Sequence, residues 1–241
     1  MITLYQFPPV WGLPNASPFC LKMETWLRMA EISYDNRFVM DPRKSPKGKF
    51  PFVKIDGASV ADSEFIIDYL KEKFGDVLDK DLSDEQRAQA VFLESAFTER
   101  LYWYLVYSRW HDDLGWAHVK DAYFAKLPFV TKLFLPNLLR KNMIKTIKLQ
   151  GTGRHSRAEV LELAYKLLDA ISVTLGDKPY FAGIDITSVD ATAFGFLANI
   201  VWAPYNCPMK LHLAKHKNIL NYCDRMWKTF YPEIQQPFAI I

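Results

Sequence analysis

The sequence predicts a small α/β domain followed by an all-helical one. Three observations carry this. Strand-like alternation of side chains ends at Ala61. Helical spacing of apolar residues then runs from about Asp84 almost to the C-terminus. Between them the charged stretch Lys71–Lys80 shows no strand pattern and reads as a linker. With 241 residues, half of them hydrophobic and 24% charged, the chain has core material for one large domain or two smaller ones. The division is placed at residues 1–80 and 81–241.

The first domain opens with "ITLYQF", Ile2–Phe7, whose alternating β-formers predict a buried strand. The loop "PPVWGLPN" follows. A helix then starts with Ser17 as N-cap and Pro18 at its first position. Phe19, Cys20, Met23, Trp26, Leu27 and Ala30 recur at spacings of three and four, which predicts one buried face. "YDNRFV", Tyr34–Val39, is a second strand, and parallel pairing through the helix closes a β-α-β unit. After the polar loop Asp41–Lys49, Asp56-Gly57 marks a hairpin between Phe52–Ile55 and Ala58–Ala61. Pro51, just ahead of a strand, is a candidate for a cis peptide bond. "DSEFIIDYLKEKFG" predicts a helix capped by Asp62 or Ser63 and stopped by Gly75. Its buried side is Ile66, Ile67, Leu70 and Phe74.

Three capping boxes start the later helices: "SDEQ" at Ser83, "SRAE" at Ser156 and "TSVD" at Thr187. The helices they open run to about Trp110, Thr174 and Trp202. Thr187 and Asp190 are read as structural.

The net charge of +3 says little, but its distribution says more. Residues 1–80 hold eleven basic and eleven acidic side chains, whereas residues 122–158 hold eight Lys/Arg and no Asp or Glu. There the cations interleave with Phe124, Phe129, Leu133, Phe134, Leu138, Leu139 and Ile144, with breaks expected at Pro128 and Pro136. This pattern fits an interfacial or partner-binding arm, a packed helix pair with a solvated basic face, or anionic substrate capture. It is too apolar for nucleic acid, and no readout motif is present. Three widely spaced cysteines make neither a disulfide framework nor a zinc site, so a reducing compartment is expected. The N-terminus lacks secretory-signal character and no apolar run reaches ~18 residues, so the expected location is cytoplasmic.

The candidate chemistry centres on "SPFC", Ser17–Cys20, a dithiol motif with its first cysteine replaced by serine. One hydroxyl can both cap a helix and donate to a ligand, and the helix N-terminus adds positive potential. Cys20 turns inward, and without a partner at position 17 it is expected to be a buried, inert thiol. Asp62 and Ser63 open a helix whose first amides can bind a carboxylate. The aromatics of "TERLYWYLVYSRWHDDLGW" are core, with some lining a pocket. His111, Asp112 and Asp113 read as helix-end polarity, and no metal is expected.

Taken in chain order, these motifs resemble the glutathione transferase superfamily. That resemblance implies an α/β thioredoxin-like N-terminal domain plus an all-α C-terminal domain, the glutathione transferase fold. It rests on "SPFC" after the first strand and "GKFPFVKIDG" with Pro51 as the cis-proline. It rests equally on "ADSEFIIDYL" with Asp62-Ser63, and on "DKPYFAGIDITSVDATAFGFLA" with Gly183, Ile186, Thr187 and Asp190. "SPFCLKMETWLRMA", "QGTGRHS" and "FPFVKIDGASVADSEFI" look most like the metaxin and failed-axon-connections group and its bacterial relatives, which includes proteins without a well-defined enzyme activity. The resemblance implies glutathione as co-substrate, held by Phe50, Pro51, Asp62 and Ser63, with Ser17 stabilising its thiolate. A hydrogen bond to a charged sulfur contributes ~1.5–3 kcal/mol, which lowers a thiol pKa by about one to two units. A hydrophobic second substrate is expected between the domains, near Trp11, Tyr104, Tyr107 and Arg154. A homodimer is expected as well. The alternative is a non-catalytic protein of the same fold that docks on a membrane surface or protein partner through residues 122–158.

Overall fold

A computed structural model describes residues 1–125 and 127–237. The first domain contains β1 (Ile2–Gln6), α1 (Pro18–Met29), β2 (Tyr34–Phe38), β3 (Phe52–Ile55), β4 (Ala58–Ala61) and α2 (Ser63–Phe74). The sheet order is β2-β1-β3-β4. β1 pairs parallel with β2, from Ile2↔Tyr34 to Gln6↔Phe38, and antiparallel with β3. The strands match the expected ones to within a residue, and the predicted β-α-β unit and hairpin are both present.

The expectation of a single buried face on α1 is corrected. The helix lies between the sheet and the second domain, and Lys22, Glu24 and Thr25 are buried along with its apolar residues. Each polar side chain has a distant partner. Lys22 pairs with Glu94. Glu24 accepts from Gln6 Nε2 at 2.6 Å, Tyr34 OH at 3.0 Å and Asn36 Nδ2 at 3.2 Å. Thr25 Oγ1 meets Tyr231 OH at 2.8 Å. Buried polar groups are tolerated when so satisfied, and spacing along one helix carries no trace of such partners.

Asp62 caps α2, accepting from Glu64 N at 3.1 Å. The helix runs through Phe74, so Lys71–Phe74 is helical and the connection begins at Gly75. Phe74 is 48% exposed and not part of the buried side, because the last turn of α2 is left uncovered. Asp79 anchors the connection by pairing with Lys71 and accepting from Ser188 N at 2.7 Å.

The second domain is helical: α3 (Asp84–Ser95), α4 (Tyr102–Val106), α5 (Asp113–Phe124), α6 (Phe129–Gln150), α7 (Arg157–Leu175), α8 (Ser188–Val201), α9 (Pro208–Leu213) and α10 (Lys217–Phe230). α3 and α4 form the expected long helix, with π-helical segments at Ala96–Leu101 and Tyr107–His111. Pro136 does not break its helix. It sits inside the 22-residue α6, where its missing N–H removes one bond from a long ladder. All three capping boxes are formed. Asp190 accepts from Phe181 N, Thr187 N, Thr187 Oγ1 and Tyr222 OH, and burial pushes its carboxyl up to about 6.

The two domains meet where α1 crosses α8. A Cβ on Gly195 of α8 would lie 2.7 Å from the Pro18 carbonyl oxygen and 2.8 Å from Lys22 N. Only glycine lets the two backbones approach this closely. Trp26 Nε1 donates to Ser188 Oγ at 2.9 Å across the same junction.

Candidate functional site

Strand register gathers the predicted residues at one end of the sheet. Tyr5 pairs with Phe52, and Phe52 with Ala61. Phe7, Pro51 and Asp62 therefore leave the sheet together. The first turn of α1 lands on the same end, where Cys20 packs with Phe50, Phe52 and Ala61.

Asn15 holds the loop that delivers Ser17. Its Nδ2 donates to the Phe7 carbonyl at 2.7 Å and to Gln6 Oε1 at 3.2 Å, while its Oδ1 accepts from Ser17 N at 2.9 Å. Asn199 of α8 donates to the Asn15 carbonyl at 3.3 Å. Gln6, Asn15 and Asn199 are supporting residues that the sequence reading missed. One signal was available for Asn15, because an Asn two residues before Ser17 has the spacing of an Asx turn.

Ser17 is half-buried at the N-terminus of α1, and its Oγ accepts from Cys20 N at a long 3.5 Å. So weak a cap leaves the hydroxyl free to turn toward a ligand. Burial pushes the Cys20 thiol up to about 12, against opposing hydrogen bonds from Ser17 and the Phe7 backbone. The Phe50–Pro51 peptide is cis. The buried Phe50 ring meets Phe7 edge-on at 5.0 Å. Asp62 is exposed with φ 86° and ψ 128°, a strained conformation for a non-glycine residue, and Ser63 beside it is buried.

Arg109, in the second π segment, was not singled out from sequence. It is only 7% exposed. Its guanidinium donates to the Ala16 carbonyl next to Ser17, to Asn199 Oδ1 at 2.7 Å and to the Asn199 carbonyl at 3.1 Å. Its Nε has no hydrogen-bond partner, and among the described residues no carboxylate pairs with it. The guanidinium also lies 5.0 Å over the Trp11 ring. A buried cation without a counter-charge favours an anion nearby. Tyr123 of α5 stands edge-on to Phe7 at 6.2 Å and to Trp11 at 6.4 Å. Burial raises its phenol to about 12, so it stays protonated and able to donate.

The four residues named for a second substrate do not converge. Trp11 alone lies on the Ser17 side, at Arg109 and Tyr123. Tyr104 and Arg154 share a recess of about 380 Å³ in the helical domain with Glu99, Arg100, His155 and Leu163. Tyr107 is buried, its ring stacked on His111 at 4.2 Å. Asp112 pairs with Arg157 at 3.1 Å, and Asp113 with Arg140 at 2.7 Å.

Comparison with known proteins agrees with the fold. The family described as glutathione S-transferase N-terminal domain matches residues 18–115, and that described as glutathione S-transferase, C-terminal domain matches residues 164–226. The chain is 34% identical over 243 residues to an isoprene-epoxide–glutathione S-transferase of Rhodococcus sp. (strain AD45), covering 95% of this chain and 99% of that protein. It is 30% identical to failed axon connections of Drosophila melanogaster, covering 97% of this chain and 59% of that protein. It is 28% identical to metaxin-1 of Homo sapiens, covering 92% and 49%. Among solved structures, a glutathione S-transferase of Ceriporiopsis subvermispora in complex with glutathione aligns with a TM-score of 0.65 at 19% identity, over 95% of this chain and 97% of that one.

Proposed function

The chain belongs to the glutathione S-transferase superfamily, and from that membership we propose that it transfers the glutathione thiolate to a small apolar electrophile, with Ser17 stabilising the thiolate. The observation that supports this most is the meeting of Ser17, the cis Phe50–Pro51 peptide and Asp62-Ser63 at one end of the sheet. Asp62 and Ser63 would hold the γ-glutamyl carboxylate and amine at the start of α2. The backbone of Phe50 would pair with the cysteinyl part. The α1 N-terminus and the buried Arg109 guanidinium both bring positive potential close to Ser17. The name of the Rhodococcus relative makes a small epoxide the first electrophile to assay. Sulfur attacks an epoxide carbon, that carbon–oxygen bond breaks, and the alkoxide takes a proton, for which Tyr123 is a donor on the Trp11 side.

Titrating glutathione against tryptophan fluorescence should give saturable binding in the millimolar range. Ser17→Ala should lower kcat by ~10–100-fold, the equivalent of one hydrogen bond to a charged sulfur, and leave glutathione affinity nearly unchanged. Absence of saturable binding would overturn the reading.

A second reading is favoured by α6. Phe129, Val130, Leu133, Phe134 and Leu138 are all more than half exposed, beside the exposed Lys132, Lys141, Lys145 and Lys148. Lys126 of the same basic segment lies outside the described residues. This surface matches an anionic membrane in both charge and apolarity. Among the described residues no helix is long and apolar enough to cross a membrane, so docking would be peripheral. The homodimer is proposed on the exposed Phe65 of α2 and Val91 and Phe92 of α3, apolar groups on both domains suited to a two-fold contact.

A further inference from the structure

We propose that Asp169, His212 and His216 form a binding site for a divalent transition-metal ion on the face of the helical domain, apart from Ser17. Their ligand atoms lie within 4.8 Å of one another. His212 Nε2 is 2.6 Å and His216 Nε2 2.8 Å from the same oxygen, Asp169 Oδ1. Two imidazoles and one carboxylate thus converge on a single point from two elements.

The backbone explains why they converge. α9 ends at Leu213, but the turn continues through bonds from Ala214 N to Lys210 O, Lys215 N to His212 O and His216 N to Leu213 O. This keeps residues 212 and 216, four apart, on one side. Asp169 projects from α7, which packs against α9. The turn is clamped to α7 one helical step further along. There Ser172 Oγ donates to Asn218 Oδ1 at 2.8 Å, and Asn218 Nδ2 donates to the carbonyls of Ser172 and Gly176. The His212 ring stacks on Tyr165 with centroids 4.1 Å apart, and His216 stands edge-on to His212 at 5.5 Å. The histidine side chains are 16% and 21% exposed and Asp169 is 51% exposed, so the rings are held while one side of the cluster opens to solvent.

Asp169 Oδ1 faces both Nε2 atoms and supplies the carboxylate ligand of the set. Without metal, either ring can donate an Nε2 proton to the carboxylate. Metal binding requires only that each ring carry its proton on Nδ1 instead, which frees both Nε2 lone pairs. Tetrahedral ligands at ~2.1 Å from zinc lie ~3.4 Å apart, so His212 Nε2 and His216 Nε2, at 2.6 Å and 2.8 Å from Asp169 Oδ1, need to open from it by about 0.6–0.8 Å. Imidazole donors select Zn²⁺, Ni²⁺ or Cu²⁺ over Mg²⁺ or Ca²⁺. Three protein ligands leave positions for water or a small anion.

The test uses the full chain, stripped with chelator and titrated with Zn²⁺ by calorimetry, with Co²⁺ absorption in the visible as a second readout. The expected result is one equivalent per chain and a tetrahedral or five-coordinate Co²⁺ spectrum. His212→Ala and His216→Ala should each weaken binding by at least ~10–100-fold, no less than the loss of an outer-shell partner causes. His155→Ala, outside the cluster, should change nothing. Asp169→Asn keeps the shape and serves if an alanine variant misfolds; it should also weaken binding. No saturable Zn²⁺ uptake, or uptake unaffected by all three cluster variants, overturns the proposal.

Discussion

Ser17 and Cys20 are one helical turn apart, yet their surroundings assign them opposite chemistry. Cys20 is sealed beneath Phe50 and Phe52, where desolvation penalises the thiolate. With its pKa near 12, only about one molecule in 10⁴ carries the thiolate at pH 8. Native protein should therefore leave a chromogenic disulfide reagent unreacted at pH 8. All three buried cysteines should titrate together once denaturant is added. Rapid labelling of Cys20 in the native state, located by peptide mass spectrometry, would refute its assignment as inert. Ser17, half-exposed and weakly engaged as a cap, keeps its hydroxyl available. The "SPFC" spacing makes that contrast legible in the sequence. Arg109 was not legible, because an arginine between Ser108 and Trp110 reads as helix surface. Its acceptors are Ala16 and Asn199, about ninety residues away on either side, and only the folded chain brings them to it.

At the scale of elements, the junction of α1 with α8 governs the site, since α1 carries Ser17 and α8 carries Asn199. Gly195 sits at the crossing with backbone atoms of α1 under 3 Å from where a Cβ would be. Backbone cannot yield as a flexible side chain does, so Gly195→Ala should destabilise the protein by about 2 kcal/mol or more, within the range for overpacked cores. Urea denaturation measures this, and a loss below ~0.5 kcal/mol would mean that the helices separate freely. In the sequence Gly195 was one small residue in an apolar run. The start of α8, by contrast, was plain from "TSVD", because a capping box is local chemistry between residues three apart. The same distinction explains Pro136. A proline is a local breaker, but the length of α6 carries the helix past it.

For the whole molecule, the basic and apolar segment is the feature whose role depends on which face is covered. α6 buries only Pro136 and Ile147, and Arg140 ties it to the Trp110 and His111 carbonyls and to Asp113. Phe129, Val130, Leu133, Phe134 and Leu138 face outward, while Met143 packs partly buried against the core. Vesicle sedimentation should show binding to anionic but not neutral membranes. Binding should weaken as salt rises, since each lysine near the surface contributes about 1 kcal/mol and is screened. Leu133→Asp with Phe134→Asp should abolish it. Equal recovery of the protein with anionic and neutral vesicles would remove this reading.

The sequence by itself determined the class of the fold, the strands, the helix starts and the positions of Ser17, Pro51 and Asp62. Those rest on caps, turns and periodicities that act over a few residues. Only the tertiary structure decided that α1 is buried on nearly all sides and that Arg109 lies beside Ser17 with no carboxylate partner among the described residues. It also separated Tyr104 and Arg154 from Trp11, and brought Asp169 to His212 and His216. Each of these depends on contacts between residues tens to hundreds of positions apart, whose free energy comes from burial and pairing in three dimensions and leaves no local pattern to read.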